Sequence, residues 1–281
     1  MADEQKKTAT KRVVVAAEAT VLGRMRRALN RMRSPWAMLE ALLVAVGVAV
    51  VAVWLEIPDR SAAQITMSFA VAIGGVVVFA LAQSYVLTLI RRRGGDRVAV
   101  WKGALLLVGV WVVSTVVSTV FDAGQMQDVA RATEWSLRPG VSAVLSADTM
   151  VMLQGIVWST LRCLVLAALL PFAMEGAATG MRGRWMQRAG WLLLEPMYWG
   201  VVMGCAAGGA AVTQAMLHVR PQVPVLMEIL LTVTKVVVIF AVDTGALCFA
   251  LSMTGTFLRD AQLLMRARPE ARPSSGRRQR R

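Results

Sequence analysis

Apolar residues in this chain run together in long blocks, separated by short polar, basic or proline-bearing segments. Blocks of roughly 20 apolar residues are long enough to cross a bilayer as helices. Six are present, at about 35–55, 62–90, 98–121, 149–174, 191–217 and 223–258. Ser34 and Pro35 supply an N-cap and a first-turn proline for the first block. Arg91, Arg92, Arg93, Gly94 and Gly95 end the second with a basic turn. The expected fold class is all-α: a polytopic integral membrane bundle of six transmembrane helices.

A different pattern precedes the first span. Between Lys11 and Met32, the residues Val14, Val21, Leu22, Met25, Leu29 and Met32 recur at helical spacing, with Arg24, Arg26, Arg27, Arg31 and Arg33 on most of the opposite side. This predicts an amphipathic interfacial helix within a basic N-terminal segment, 1–34, lying among lipid headgroups. Packing of that helix on the membrane domain or on another subunit is the alternative. Residues 35–258 then form the six-span membrane domain, and 259–281 a basic, disordered tail. The segment from Asp122 to Asp148 is expected as an outer loop with a short surface helix, broken at Arg138-Pro139-Gly140.

Composition agrees with a membrane protein. The hydrophobic fraction is 57%, against about 45–50% in soluble domains, and the mean hydropathy is +0.57. Six spans use most of the 281 residues, which leaves little room for a soluble catalytic domain.

The formal charge of +14 sorts by side. Lys and Arg number nine in residues 1–34, five from Arg91 to Lys102, three from Arg182 to Arg188 and eight after Leu258. The alternate loops hold only Arg60, Arg131, Arg138 and Arg220. The positive-inside rule then places both termini in the cytoplasm, with a bacterial inner membrane as the expected location. The basic ends call for anionic lipid headgroups or protein subunits as partners, and no specific nucleic acid is expected.

Inside the apolar blocks a few charges stand out. Arg162 falls near the middle of the fourth span, where a cation costs about 2.5–3.5 kcal/mol on insertion scales and normally faces the bundle interior. Glu228, Lys235 and Asp243 share one face of the sixth, and Glu195 stands at the entrance of the fifth. These five are the candidate substrate or ion pathway, with Asp243 as counter-charge to Arg162 and Lys235. Gly200, Gly204 and Gly208 form a flat strip on the fifth span, suited to close helix packing within the chain.

Candidate chemistry is sparse. There is no GxxxxGK[ST] and no HExxH, and the only histidine, His218, lies in a loop. Cys163, Cys205 and Cys248 lie in separate apolar blocks and are expected to pack as small hydrophobes. No metal, cofactor or catalytic residue is assigned. The pattern points first to a transporter or permease-like subunit with a charged site on spans four to six. A non-enzymatic scaffold or assembly subunit with structural charges is the alternative, and a lipid-modifying enzyme a third reading.

Overall fold

The computed structural model describes residues 21–57, 60–91, 97–136, 146–218 and 224–267. Among them are eight helices and no strand: α1 (Val21–Met32), α2 (Pro35–Leu55), α3 (Ala62–Ile90), α4 (Arg97–Ser136), α5 (Ala147–Thr179), α6 (Trp185–Leu193), α7 (Pro196–His218) and α8 (Val225–Ala267). Six of these, all but α1 and α6, are long and apolar enough to cross a membrane. The chain is a multi-pass membrane protein built as an all-α bundle.

Local chemistry starts and stops these helices. The Ser61 and Ser146 hydroxyls accept from the N–H groups of Gln64 and Thr149, capping α3 and α5. The α5 helix stops at Gly180, whose left-handed backbone (φ 60°) lets its N–H return to the Gly176 carbonyl. Pro171 sits inside α5 without ending it. It has no N–H for the Ala167 carbonyl, and the buried Tyr198 hydroxyl donates to that oxygen instead, at 2.7 Å.

Three boundaries differ most from the sequence pattern. The α4 helix passes Phe121 and continues to Ser136 where a loop with a separate short helix was expected. Its far part has a partner in α5, since Phe121 meets Trp158 edge to ring and Gln154 Nε2 donates to the Asp128 carbonyl. The fifth block divides into α6 and α7, because Pro196 suits the first turn of a helix but disfavours helix through the residue before it. At the other end, α8 extends to Ala267, so 259–267 is helix where a disordered tail was expected. The expectations for residues 1–20, the 92–95 turn, the break at Arg138-Pro139-Gly140 and the tail beyond 267 lie outside the described residues.

Around the bundle α2 lies beside α3, α3 beside α4, α4 beside α5, α5 beside α7, α7 beside α8, and α8 returns to α2. The core is concentrated at one end. There α8 is buried continuously from Leu251 to Leu258, against Ala173, Met174 and Ala177 of α5 and Val86, Leu87 and Ile90 of α3. Gly103 of α4 lets two backbones meet here: a Cβ on it would lie 2.6 Å from the Ala177 Cβ and 2.8 Å from its Cα. Arg24, Arg27, Arg91 and Arg188 make their contacts at this end, which is the basic end of the bundle. Toward the other end the helices turn apolar faces outward, as Val46, Val53, Val116 and Val236 do.

The α1 helix packs across α8 at the basic end, and it does so with its arginine side. Arg24 and Arg27 face carboxylates, Ala28 is fully buried, and Leu22 is 80% exposed. The expected orientation, arginines toward headgroups, is therefore corrected for Arg24 and Arg27. Carboxylates supplied by Glu195 and Asp260 attract them more strongly than a solvated surface would.

Candidate functional site

The five charges expected to share a site are dispersed. Arg162 donates to Asp122 Oδ1 and, at 2.6 Å, to Gln125 Oε1. Both partners lie on α4, in the stretch that was expected to be loop. Helix spacing puts them on one face three residues apart, alongside α5. Arg162 stands about 25 Å from the basic end of α5 at 1.5 Å per residue. That is close to the middle of α5, which runs Ala147–Thr179.

Asp243 is not the partner of Arg162. Its Oδ2 accepts from Thr213 Oγ1 of α7 at 3.1 Å, and its Oδ1 lies 3.0 Å from where a Cβ on Gly209 would stand. The residue is exposed. Lys235 and Glu228 follow farther along α8, and Lys235 is about 12 Å from Asp243 along the helix axis. Glu195 lies at the opposite end, in the break between α6 and α7, where Arg24 Nη1 pairs with it at 3.3 Å. The five residues thus do not gather in one place, Glu195 standing at the opposite end of the bundle from Lys235 and Glu228.

The glycine strip also faces another way than expected. A Cβ on Gly200, Gly204 or Gly208 would meet nothing within 4 Å. All three point away from the bundle, and α7 meets α8 through Gly209 instead. One residue along a helix turns the contact by about 100°, so the GxxxGxxxG spacing identifies a strip but not its bearing.

The deepest charges were not singled out from the sequence. Glu175 of α5 is fully buried and holds two arginines. Arg91 Nη2 reaches its Oε1 at 2.5 Å, and Arg188 Nε its Oε2 at 3.4 Å. Arg91 also donates to the Gly255 carbonyl and to Gln262 Oε1, so one guanidinium ties α3, α5 and α8 together. Beside this cluster, Arg24 Nε and Arg27 Nη2 both lie 3.2 Å from Asp260 Oδ2, and the Arg24 guanidinium stands 4.9 Å from the centre of the Phe257 ring. A second fully buried carboxyl, Glu40 of α2, accepts from Gln83 Nε2 at 2.9 Å.

The signals for this end were present but local. Arg91 closes an apolar block and Glu175 follows one directly, positions that read equally well as ordinary span ends. Ending the fourth span at Met174 left Glu175 in a loop.

The arrangement joins helices through charge-assisted hydrogen bonds. Among the described residues, no three His, Cys, Asp or Glu side chains gather as a metal set. The three cysteines are free thiols on three helices. No protein-family model, curated protein or solved structure matches the chain.

Proposed function

We propose that this protein is a non-enzymatic scaffold or assembly subunit of a membrane complex. Its charge clusters set helix register, and its outward faces receive neighbouring subunits. The observation that carries this reading is the internal pairing at the basic end: Glu175 with Arg91 and Arg188, and Arg24 and Arg27 with Asp260 and Glu195. Charges matched within the chain fix a shape and leave little free to bind cargo. By the positive-inside rule the basic end faces the cytoplasm, and a bacterial inner membrane is the location that fits.

The outward strip of Gly200, Gly204 and Gly208 is where a partner helix would approach, because glycines four apart let two backbones come close in lipid. Gly204→Leu tests this. The position is open in the isolated chain, so the variant folds with unchanged stability. The complex extracted from native membranes, larger than the 30.4 kDa chain in the wild type, falls toward the monomer. A wild type that is monomeric in native membrane discs overturns the reading.

One observation favours a second reading. Asp243 is an exposed carboxylate well inside a membrane helix, beside the Thr213 hydroxyl. Intramembrane carboxylates mark ion and proton paths, and Arg162, Lys235 and Glu228 would then line the same route. An ion or proton flux in vesicles that Asp243→Asn abolishes would establish transport; its absence leaves the scaffold reading.

A further inference from the structure

We infer that the basic end carries a binding site for the phosphate of an anionic phospholipid. It lies in the cleft between the α5–α6 turn and the last turns of α8. The cleft has a volume of about 500 Å³ and is lined by Arg182, Arg184 and Arg188, with Thr179, Gln262 and Met265. No carboxylate stands among its described lining residues.

Each wall contributes toward an anion. The turn is tight, with left-handed backbone at Gly180, Met181 and Gly183 (φ 60°, 62° and 69°), and it carries Arg182 and Arg184 on either side of Gly183. Helix α6 begins at the cleft. Arg184 occupies its N-cap position and makes no side-chain cap, so the first-turn N–H groups add partial positive charge. Gln262 turns its Oε1 to Arg91, which leaves its amide nitrogen as a donor. Glu175 is shared by Arg91 and Arg188, so that trio retains one net positive charge.

Depth favours a lipid as the source of the phosphate. The cleft opens where the membrane helix α5 ends, beside α6, a short helix with Trp185 and Trp191 half-buried and Met186 exposed. Indole rings and apolar side chains at this level are typical of the headgroup region, and Met265 offers an apolar wall to the start of an acyl chain. Basic pockets between membrane helices bind anionic headgroups by this chemistry.

The test uses the full chain in nanodiscs of neutral lipid, with and without phosphatidylglycerol, and counts retained lipid by native mass spectrometry. The wild type keeps one phosphatidylglycerol through delipidation. The double variant Arg182→Gln/Arg184→Gln binds it roughly tenfold more weakly, while Arg182→Lys/Arg184→Lys, which preserves charge and fold, retains most of the affinity. Arg26→Gln/Arg33→Gln removes the same charge from exposed positions outside the cleft and leaves binding unchanged. Equal weakening in both glutamine pairs would mean diffuse attraction to the basic end and would overturn the site. Inorganic phosphate that binds in neutral discs and displaces no phosphatidylglycerol would assign the cleft to a soluble anion, and would overturn the lipid.

Discussion

Glu175 and Arg91 meet at 2.5 Å with side chains 0% and 4% exposed, the most deeply buried ion pair among the described residues. Removing one partner strands the other. Glu175→Gln leaves Arg91 buried without a counter-charge, and such losses cost about 3–5 kcal/mol. Adding Arg91→Gln restores at least half of that stability, because Arg188, at 15% exposure, can turn toward solvent. Thermal unfolding of the two single variants and the double in one detergent checks the coupling. A Glu175→Gln variant as stable as the wild type would show that the pair holds nothing.

Tyr198 and Pro171 form a second linked pair, through the Ala167 carbonyl. Tyr198→Phe leaves that oxygen buried and unsatisfied, a loss of about 1–3 kcal/mol. In a Pro171→Ala background the backbone N–H of residue 171 returns to the carbonyl, and the same substitution should cost much less. A double-mutant cycle on thermal stability measures the difference. Equal costs in both backgrounds would disconnect the hydroxyl from the proline.

Gly103 sets the closest backbone approach of the core, with a Cβ position 2.3 Å from Ser84 Oγ as well as 2.6 Å from the Ala177 Cβ. Gly103→Ala therefore destabilises by about 1–3 kcal/mol through overpacking, although alanine favours helix. Gly204→Ala, in open space, does not. Melting temperatures of the two variants separate packing from propensity.

How much of this was legible depended on the range of the cause. The limits of α2 and α3 follow from local signals, with Ser34-Pro35 opening one and Arg91 closing the other. The far part of α4 was legible only as a short helix within a loop, because DAGQMQDVARATEWS is polar enough to end a span, and its continuity comes from packing alongside Trp158 and Gln154 of α5. The contacts of the candidate site's charges were hidden for the same reason. Arg162 is 40 residues from Asp122 in sequence and Arg91 is 84 from Glu175, and periodicity reports which residues share a face but not which face meets which.

The continuation of α4 has its own test. Backbone amides in 123–133 should exchange with deuterium as slowly as those near Val113, since each is held in a helix. Rapid exchange beginning at Asp122 would restore a loop there and remove the acceptors of Arg162.

The central claim is that the charges within the membrane hold structure and line no water path. Asp243 decides it, being the intramembrane carboxylate left exposed beside a single hydroxyl partner among the described contacts. With Cys163, Cys205 and Cys248 replaced by alanine, a lone cysteine at position 243 is exposed in native membranes to an impermeant thiol reagent from each side in turn. The account predicts no labelling from either side while a cysteine at position 60, in the far turn, reacts fully. Labelling of position 243 from either face would reveal water at that depth and contradict a purely structural role.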